Sequence, residues 1–375
     1  MSEEIATVLS EIDDPEIVDQ ILQVVNSTGE TNNPLGDSST SATLSELYQR
    51  FLSRRQNRSP ATKAQYKRTI PDFVDFANER NITSPGQLST EVVDAYVDEL
   101  QGEYDSDATV LTYTKNVRGW LRWLNERQLC GEAVYRILDK QELGLTPTAR
   151  DEAIPKRVIT AVLDNLQKHR RGSRLHALVA LFWNAGPRIG GVHSLDVDDF
   201  DTQDNELRFR HRPESGTRLK NGDDDTGSSG DGERNIVLED TVADALQLYI
   251  QVGRPAATDE FGRKPLFATE YGRAARSTLR RWVYEATGCR WQPQTNSHSC
   301  CDGGCNPDSD PCNQSYYPHA IRRGSIVNHL SGGLRRELAS ERFDVSVKVI
   351  KKHYDPRTEQ DRLNDRRQAV KGAWE

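Results

Sequence analysis

Three short stretches, far apart along this chain, carry side chains able to handle a phosphodiester. Asn184-Ala185-Gly186-Pro187-Arg188-Ile189 directly follows Leu175 to Trp183, a segment apolar enough to be a fully buried helix. Gly186 can take the left-handed turn that ends such a helix, which delivers Arg188 at the start of the next element. Pro318-His319-Ala320-Ile321-Arg322-Arg323 comes later, and on a helix His319 and Arg322, three apart, face the same way. Lys352-His353-Tyr354-Asp355 closes a helical run that includes Val345, Val349 and Ile350. Guanidinium groups bind non-bridging phosphate oxygens in pairs and stabilise the added charge of a transition state. A tyrosine oxygen is a nucleophile whose ordinary pKa of about 10 falls in a cationic neighbourhood. Two arginines, a histidine and a tyrosine are thus a set for metal-free attack on a phosphodiester. Each member alone is commonplace: an arginine after glycine is usually an ion-pair partner, and a tyrosine is usually a half-buried packing residue.

A second cluster points to metal. His298, Cys300, Cys301, Cys305 and Cys312 crowd into an Asn-, Asp- and Gly-rich insertion, with Cys289 a little upstream. Zinc takes four N or S ligands in a tetrahedron. Cys301-x3-Cys305-x6-Cys312, completed by Cys300, Cys289 or His298, could supply them, although the spacing matches no standard finger. The insertion, 289–316, has almost no apolar residues, so a metal or a disulfide would be needed to order it. A reducing cytosol disfavours the disulfide. Structural zinc is therefore the leading expectation, with a disulfide and unligated thiols left open.

The elements that must position these residues fall into two groups. Residues 1–42 form an acidic and polar segment, expected to be a flexible tail. Over 43–137 the pattern is helical. Thr43-x-x-Glu46 is a capping box ahead of Leu44, Leu47, Tyr48 and Phe51. Ser59-Pro60 opens a second helix along Tyr66, Ile70, Phe73 and Phe76, with a kink expected at Pro71. A third follows Val93, Tyr96, Val97 and Leu100, and a fourth Val110, Tyr113, Val117, Trp120, Leu121 and Leu124. The fourth shows Lys115, Arg118 and Arg122 off its apolar face, a stripe suited either to solvent or to DNA. A linker is expected at 138–152 and a second domain over 153–365, ahead of a tail at 366–375. In that domain, Leu207 to His211 and Arg234 to Val237 read as a hairpin around an exposed Gly/Asp/Ser loop. The fold class is mainly α with a small β-sheet, that is, α+β.

The formal net charge of −8 argues at first against a nucleic-acid partner. The acidic excess, however, sits largely in 1–43 and in Asp223-Asp224-Asp225, while arginines cluster at Arg280-Arg281, Arg322-Arg323 and Arg335-Arg336. Arginine outnumbers lysine, and the mean hydropathy of −0.74 with a pI near 5.6 suggests a high-salt cytoplasm. No apolar stretch approaches the roughly 18 residues of a membrane span, and the acidic start lacks the form of a secretory signal. The expectation is a cytoplasmic protein with no membrane association.

Taken in order, these pieces resemble the tyrosine recombinase or phage integrase family, whose members carry Ala/Thr-Gly-x-Arg, a hairpin lysine, His-x-x-Arg and a C-terminal tyrosine. The resemblance covers about residues 43–365. It implies an N-terminal four-helix, SAM-like core-binding domain followed by the family's catalytic domain. It places the catalytic set on Arg188, His319, Arg322 and Tyr354, and on Lys220 as the acid that protonates the leaving 5′ oxygen. It further implies double-stranded DNA as partner, a homotetramer on paired sites, and no cofactor for catalysis. Two departures stand out. Gly191 occupies a position where the family usually has an acid, and the turn Glu341-Arg342-Phe343-Asp344 lacks the family's His or Trp. Arg342 or His353 could serve there as an accessory donor. The alternatives are a catalytically weakened DNA-binding protein on the same fold, or an enzyme resembling type IB topoisomerases.

Overall fold

The computed structural model describes residues 42–146, 152–220, 232–293 and 312–354, together with the single residues 363, 367 and 370. The chain divides into two compact units, 1–150 and 151–375.

The described part of the first unit is helical throughout. Helix α1 (Leu44–Ser53) begins at the Thr43 capping box, with Glu46 N–H donating to Thr43 Oγ1 and Thr43 N–H to Glu46 Oε2. Helix α2 (Pro60–Glu79) is capped by Ser59 and runs through Pro71 as one element. Helices α3 (Thr90–Glu103), α4 (Asp107–Asn125) and the short α5 (Glu132–Arg136) complete the unit. Its core is aromatic. Phe73 and Phe76 meet Tyr96 edge-on at 5.0 and 5.1 Å, and Phe73 meets Trp120 at 6.1 Å. Such edge-to-face pairs add roughly 0.5–1.5 kcal/mol each beyond the area they bury. Polar groups inside are matched: Tyr96 donates to Asp72 at 2.7 Å and Asn116 to Thr69 at 3.1 Å.

The second unit is built around α7 (Arg174–Ala185), nearly all of whose side chains are buried. Against it pack α6 (Lys156–Arg170), α9 (Asp240–Leu248), α10 (Arg276–Thr287) and α11 (Pro318–Ser331). The short α8 (Ile189–Ser194) follows α7 directly. An antiparallel sheet of order β1-β2-β3 joins Phe200–Asp201, Glu206–Phe209 and Arg234–Val237, in the register Phe200↔Leu207 and Leu207↔Ile236. The expected hairpin is β2–β3; its loop, 221–231, lies outside the described residues. A two-stranded ribbon, β4 (Ala268–Thr269) with β5 (Gly272–Arg273), is additional. Helices α12 (Arg336–Phe343) and α13 (Val347–His353) follow. Their small core joins Ile326 and Leu330 of α11 to Ala339, Phe343, Val345, Ile350 and Tyr354. Among the described residues no helix is long and apolar enough to cross a membrane.

Candidate active site

Helix α7 ends as its sequence dictates. Gly186 is left-handed (φ 51°, ψ 38°) and donates its N–H to Phe182 O at 3.0 Å. A Cβ there would lie 2.7 Å from the Phe343 ring and 3.1 Å from Ser325 Oγ, so only glycine allows α7 to meet α11 and α12 this closely. Arg188 then caps α8 in extended backbone and pairs through Nη1 with the carboxylate of Asp344. Gly191, one turn on, is buried, and a Cβ there would meet the Phe209 ring at 3.3 and 3.4 Å. An acidic side chain at 191 would have to displace that ring.

Arg322 is the hub of the site. Only 1% exposed, it donates Nη1 to Gly186 O and Nη2 to Phe343 O, both at 2.7 Å, tying the end of α7 to the end of α12. Burial, and then the neighbouring charge of Arg188, lower its pKa to about 10, while Tyr354 and Asp344 act in the opposite direction. Tyr354 sits at the C-terminal cap of α13, 8% exposed, with its N–H on Ile350 O at 2.9 Å. The Arg323 guanidinium lies 5.5 Å from the Tyr354 ring centroid and donates to His353 O at 2.9 Å. His319, in the first turn of α11, is reached by solvent. Its pKa is nevertheless pushed below the usual histidine value, first by partial desolvation and then by the charges of Arg322, Arg323, Arg188 and Lys220. The imidazole is therefore neutral at pH 7 with four cations in electrostatic reach. Lys220 is exposed at the end of a pinned segment: Leu219 is buried, its N–H on His211 Nδ1 at 3.0 Å, and Arg212 upstream is clamped to Asp199 at 2.5 Å.

The structure thus brings Arg188, Lys220, His319, Arg322 and Tyr354 into one neighbourhood. The two accessory candidates make other contacts. The terminal nitrogens of Arg342 donate to Asn184 O, Asn184 Oδ1 and Val237 O at 3.1 to 3.2 Å, and so tie α12 to the end of α7 and to β3. The His353 ring is exposed, and it is His353's carbonyl that engages Arg323. The segment read as a turn is mostly helix: Glu341, Arg342 and Phe343 are the last turn of α12, and Asp344 alone is the left-handed cap (φ 51°, ψ 60°). Two residues of the neighbourhood escaped sequence reasoning. One is Asp344. The other is Arg234 at the start of β3, whose Nε donates to Arg342 O at 2.8 Å and whose guanidinium lies 4.1 Å from the Phe209 ring centroid. Burial lowers its pKa to about 10, with Asp344 opposing and Arg188 adding to the drop.

In the first unit, Lys115 and Arg122 are exposed. Arg118 pairs with Asp139 at 2.5 Å and Arg122 with Glu126 at 3.3 Å, so two cations of the stripe already have carboxylate partners. Of the cysteine cluster, His298, Cys300, Cys301 and Cys305 lie outside the described residues. Cys289 and Cys312 stand at the base of the insertion. That base is closed by Gln292 Nε2 donating to Gln314 O at 2.7 Å and Tyr316 N–H to Thr287 Oγ1 at 2.9 Å. Among the described residues no group of three or more His, Cys, Asp or Glu could hold a metal ion.

Comparison with known proteins gives a consistent picture. Residues 46–128 match the phage integrase N-terminal SAM-like domain. A tyrosine recombinase XerC from Mycobacterium sp. (strain KMS) is 23% identical over 300 residues, covering 79% of this chain and 88% of the relative. XerC from Herpetosiphon aurantiacus is 20% identical over 234 residues, covering 61% and 69%. In fold, the chain resembles the Tn1549 transposon integrase solved with a circular intermediate DNA (TM-score 0.65, 13% identity, 88% of this chain and all of that one). It also resembles a lambda integrase dimer bound to a core site (TM-score 0.58, 12% identity, 93% and 88%). With a match to the SAM-like domain at its N-terminal side and tyrosine recombinase relatives aligned over most of its length, the chain is similar to the tyrosine recombinases and integrases in sequence and fold.

Proposed function

We propose that the protein is a site-specific DNA recombinase that cleaves and rejoins DNA through a covalent bond between Tyr354 and a 3′ phosphate. The carrying observation is the Arg322 strut. It joins the element ends that bear Arg188 on one side and lead to Tyr354 on the other. Each terminal guanidinium nitrogen has two hydrogens. With one spent on a carbonyl, Arg322 retains a second hydrogen on each for a phosphate oxygen. Arg188 supplies the other cation, and the extra negative charge of the transition state forms between them. The phenolic oxygen of Tyr354 attacks phosphorus, the bond to the 5′ oxygen breaks, and Lys220 protonates the departing oxygen. A neutral His319 can donate its one ring N–H to a phosphate oxygen and, unlike an imidazolium, can accept a proton at its other ring nitrogen. The phosphotyrosyl link conserves the bond energy, so the freed 5′ hydroxyl of a partner strand can reseal it without ATP. The reaction is assigned to a homotetramer on paired sites of double-stranded DNA in the cytoplasm. Lys115, Arg118 and Arg122 are assigned to the duplex backbone, and the Cys-rich insertion to structural zinc.

The test is covalent capture. Nicked duplexes with a randomised core are incubated with protein without added ATP or magnesium, and DNA that stays attached after denaturation is sequenced. The wild type is expected to retain a defined sequence. Tyr354→Phe is expected to retain none while still binding that sequence. Equal retention by Tyr354→Phe removes this residue as nucleophile. Elemental analysis of the purified protein is expected to find about one zinc per chain, its four ligands drawn from Cys and His.

A further inference from the structure

We propose that Asp344 is the positioning residue for Arg188: it holds the guanidinium from behind by one terminal nitrogen and leaves the other N–H groups presented to the DNA phosphate. The inference rests on the reading of Arg188 as a phosphate ligand. Its support is geometric. Asp344 adopts a left-handed backbone at the end of α12, a conformation that few residues other than glycine, asparagine and aspartate adopt. That backbone is fixed on both sides, by Asp344 N–H on Glu341 O and by Val345 N–H on Ser340 O at 3.2 Å. The preceding carbonyl, Phe343 O, is held by Arg322. The carboxylate is therefore aimed by the scaffold and does not swing on a free loop. Only Nη1 of Arg188 meets it, an end-on pairing that leaves the rest of the guanidinium fork unspent on Asp344. The Asp344 side chain is 16% exposed against 26% for Arg188, so the acid lies deeper than the cation it holds and backs it, with the solvent side left to a ligand. Asp344 also opposes the mutual repulsion of the guanidiniums around it, since its charge is felt by Arg322 and Arg234 as well.

Two measurements decide the matter. The first is single-turnover cleavage of a captured duplex by Asp344→Asn and Asp344→Gly, with DNA affinity measured separately. Asparagine and glycine both accept a left-handed backbone, so neither substitution disturbs the cap. Both variants are expected to cleave on the order of ten- to a hundredfold more slowly, the cost of a misplaced binding group, with DNA affinity unchanged or tighter. Wild-type cleavage by either variant would reduce Asp344 to a cap residue. Faster cleavage would make it an occluding group; either result overturns the proposal. The second measurement needs no DNA: side-chain nitrogen NMR of Arg188, assigned by its loss in Arg188→Lys. Restricted rotation of the guanidinium is expected in the wild type and free rotation in Asp344→Asn. Identical behaviour in the two proteins overturns the proposal. If the wild type forms no adduct on any duplex, the nucleophile assignment of Tyr354 falls, while the NMR comparison still decides whether Asp344 holds Arg188.

Discussion

Both terminal nitrogens of Arg322 donate to carbonyls of buried residues, Gly186 and Phe343, and that makes its substitution a structural as well as a chemical event. Arg322→Ala strands two buried acceptors at about 1–3 kcal/mol each. A loss of roughly 2–5 kcal/mol in urea unfolding is expected, together with complete loss of cleavage. Arg322→Lys, which can reach one carbonyl, is expected to lose about half as much stability. An Arg322→Ala protein as stable as the wild type would mean the strut is absent in solution. The same residue shows what sequence could reveal. Arg188, His319, Arg322 and Tyr354 were readable because each sits in a short local pattern: a glycine that ends a helix, an i, i+3 pair, the end of an apolar run. Asp344 and Arg234 were not readable. Asp344 gains its meaning from a partner 156 residues away, and Arg234 from one 108 residues away. No local spacing encodes either contact. Nor does local spacing encode the contacts of Arg342, whose terminal nitrogens reach Asn184 and Val237.

At the scale of elements, the four longer helices of the first unit were legible because capping and apolar periodicity agree there, as at Thr43 and Ser59, while the five-residue α5 is too short to show a period. Helix α12 was not, because it buries only Ala339 and Phe343 and so shows no periodic face. Strands of two residues, β1, β4 and β5, likewise carry no alternation to read. The junction of α7, α11 and α12 gives a sharp prediction. Gly186→Ala combines a left-handed backbone with a Cβ 2.7 Å from Phe343. A destabilisation of about 2–4 kcal/mol is expected from strain and overpacking, with cleavage reduced along with it as Arg188 and the α12 cap move apart. Helix α4 gives another. The Arg118–Asp139 pair is partly exposed, and such pairs contribute about 0–1 kcal/mol. Asp139→Asn should therefore leave the melting temperature nearly unchanged while freeing Arg118 for a phosphate. Fluorescence anisotropy is expected to show DNA binding tightened several-fold, with a steeper dependence on salt. Unchanged affinity and slope would place Arg118 away from the duplex.

At the scale of the whole molecule, the two units differ in one respect that pH can expose: all eight histidines lie after residue 150. Four of them, His176, His193, His319 and His329, have pKa values lowered from 6.5, in each case chiefly by desolvation. Two of these hold a ring nitrogen against a carbonyl, His193 on Ala274 O at 3.0 Å and His329 on Ser325 O at 2.8 Å, and those bonds only partly offset the burial. The folded second unit thus resists protons that its unfolded chain accepts below pH 6.5. The stability tied to these groups is complete above pH 6.5 and is lost as pH falls through the depressed folded values. The first unit has no histidine and no such window. Calorimetry should therefore show the second unit's transition constant from pH 8 to 7 and falling by several degrees toward pH 5, where a kcal/mol shifts a domain of this size by about 2–4 °C. The first unit's transition should hold nearly still over the same range. Replacing His329 with Gln, which keeps a side-chain group able to bond the Ser325 carbonyl and cannot take up a proton there, should flatten part of the second unit's slope. Parallel movement of both transitions between pH 7 and 5 would show that the histidines of the second unit are not what makes the protein acid-sensitive.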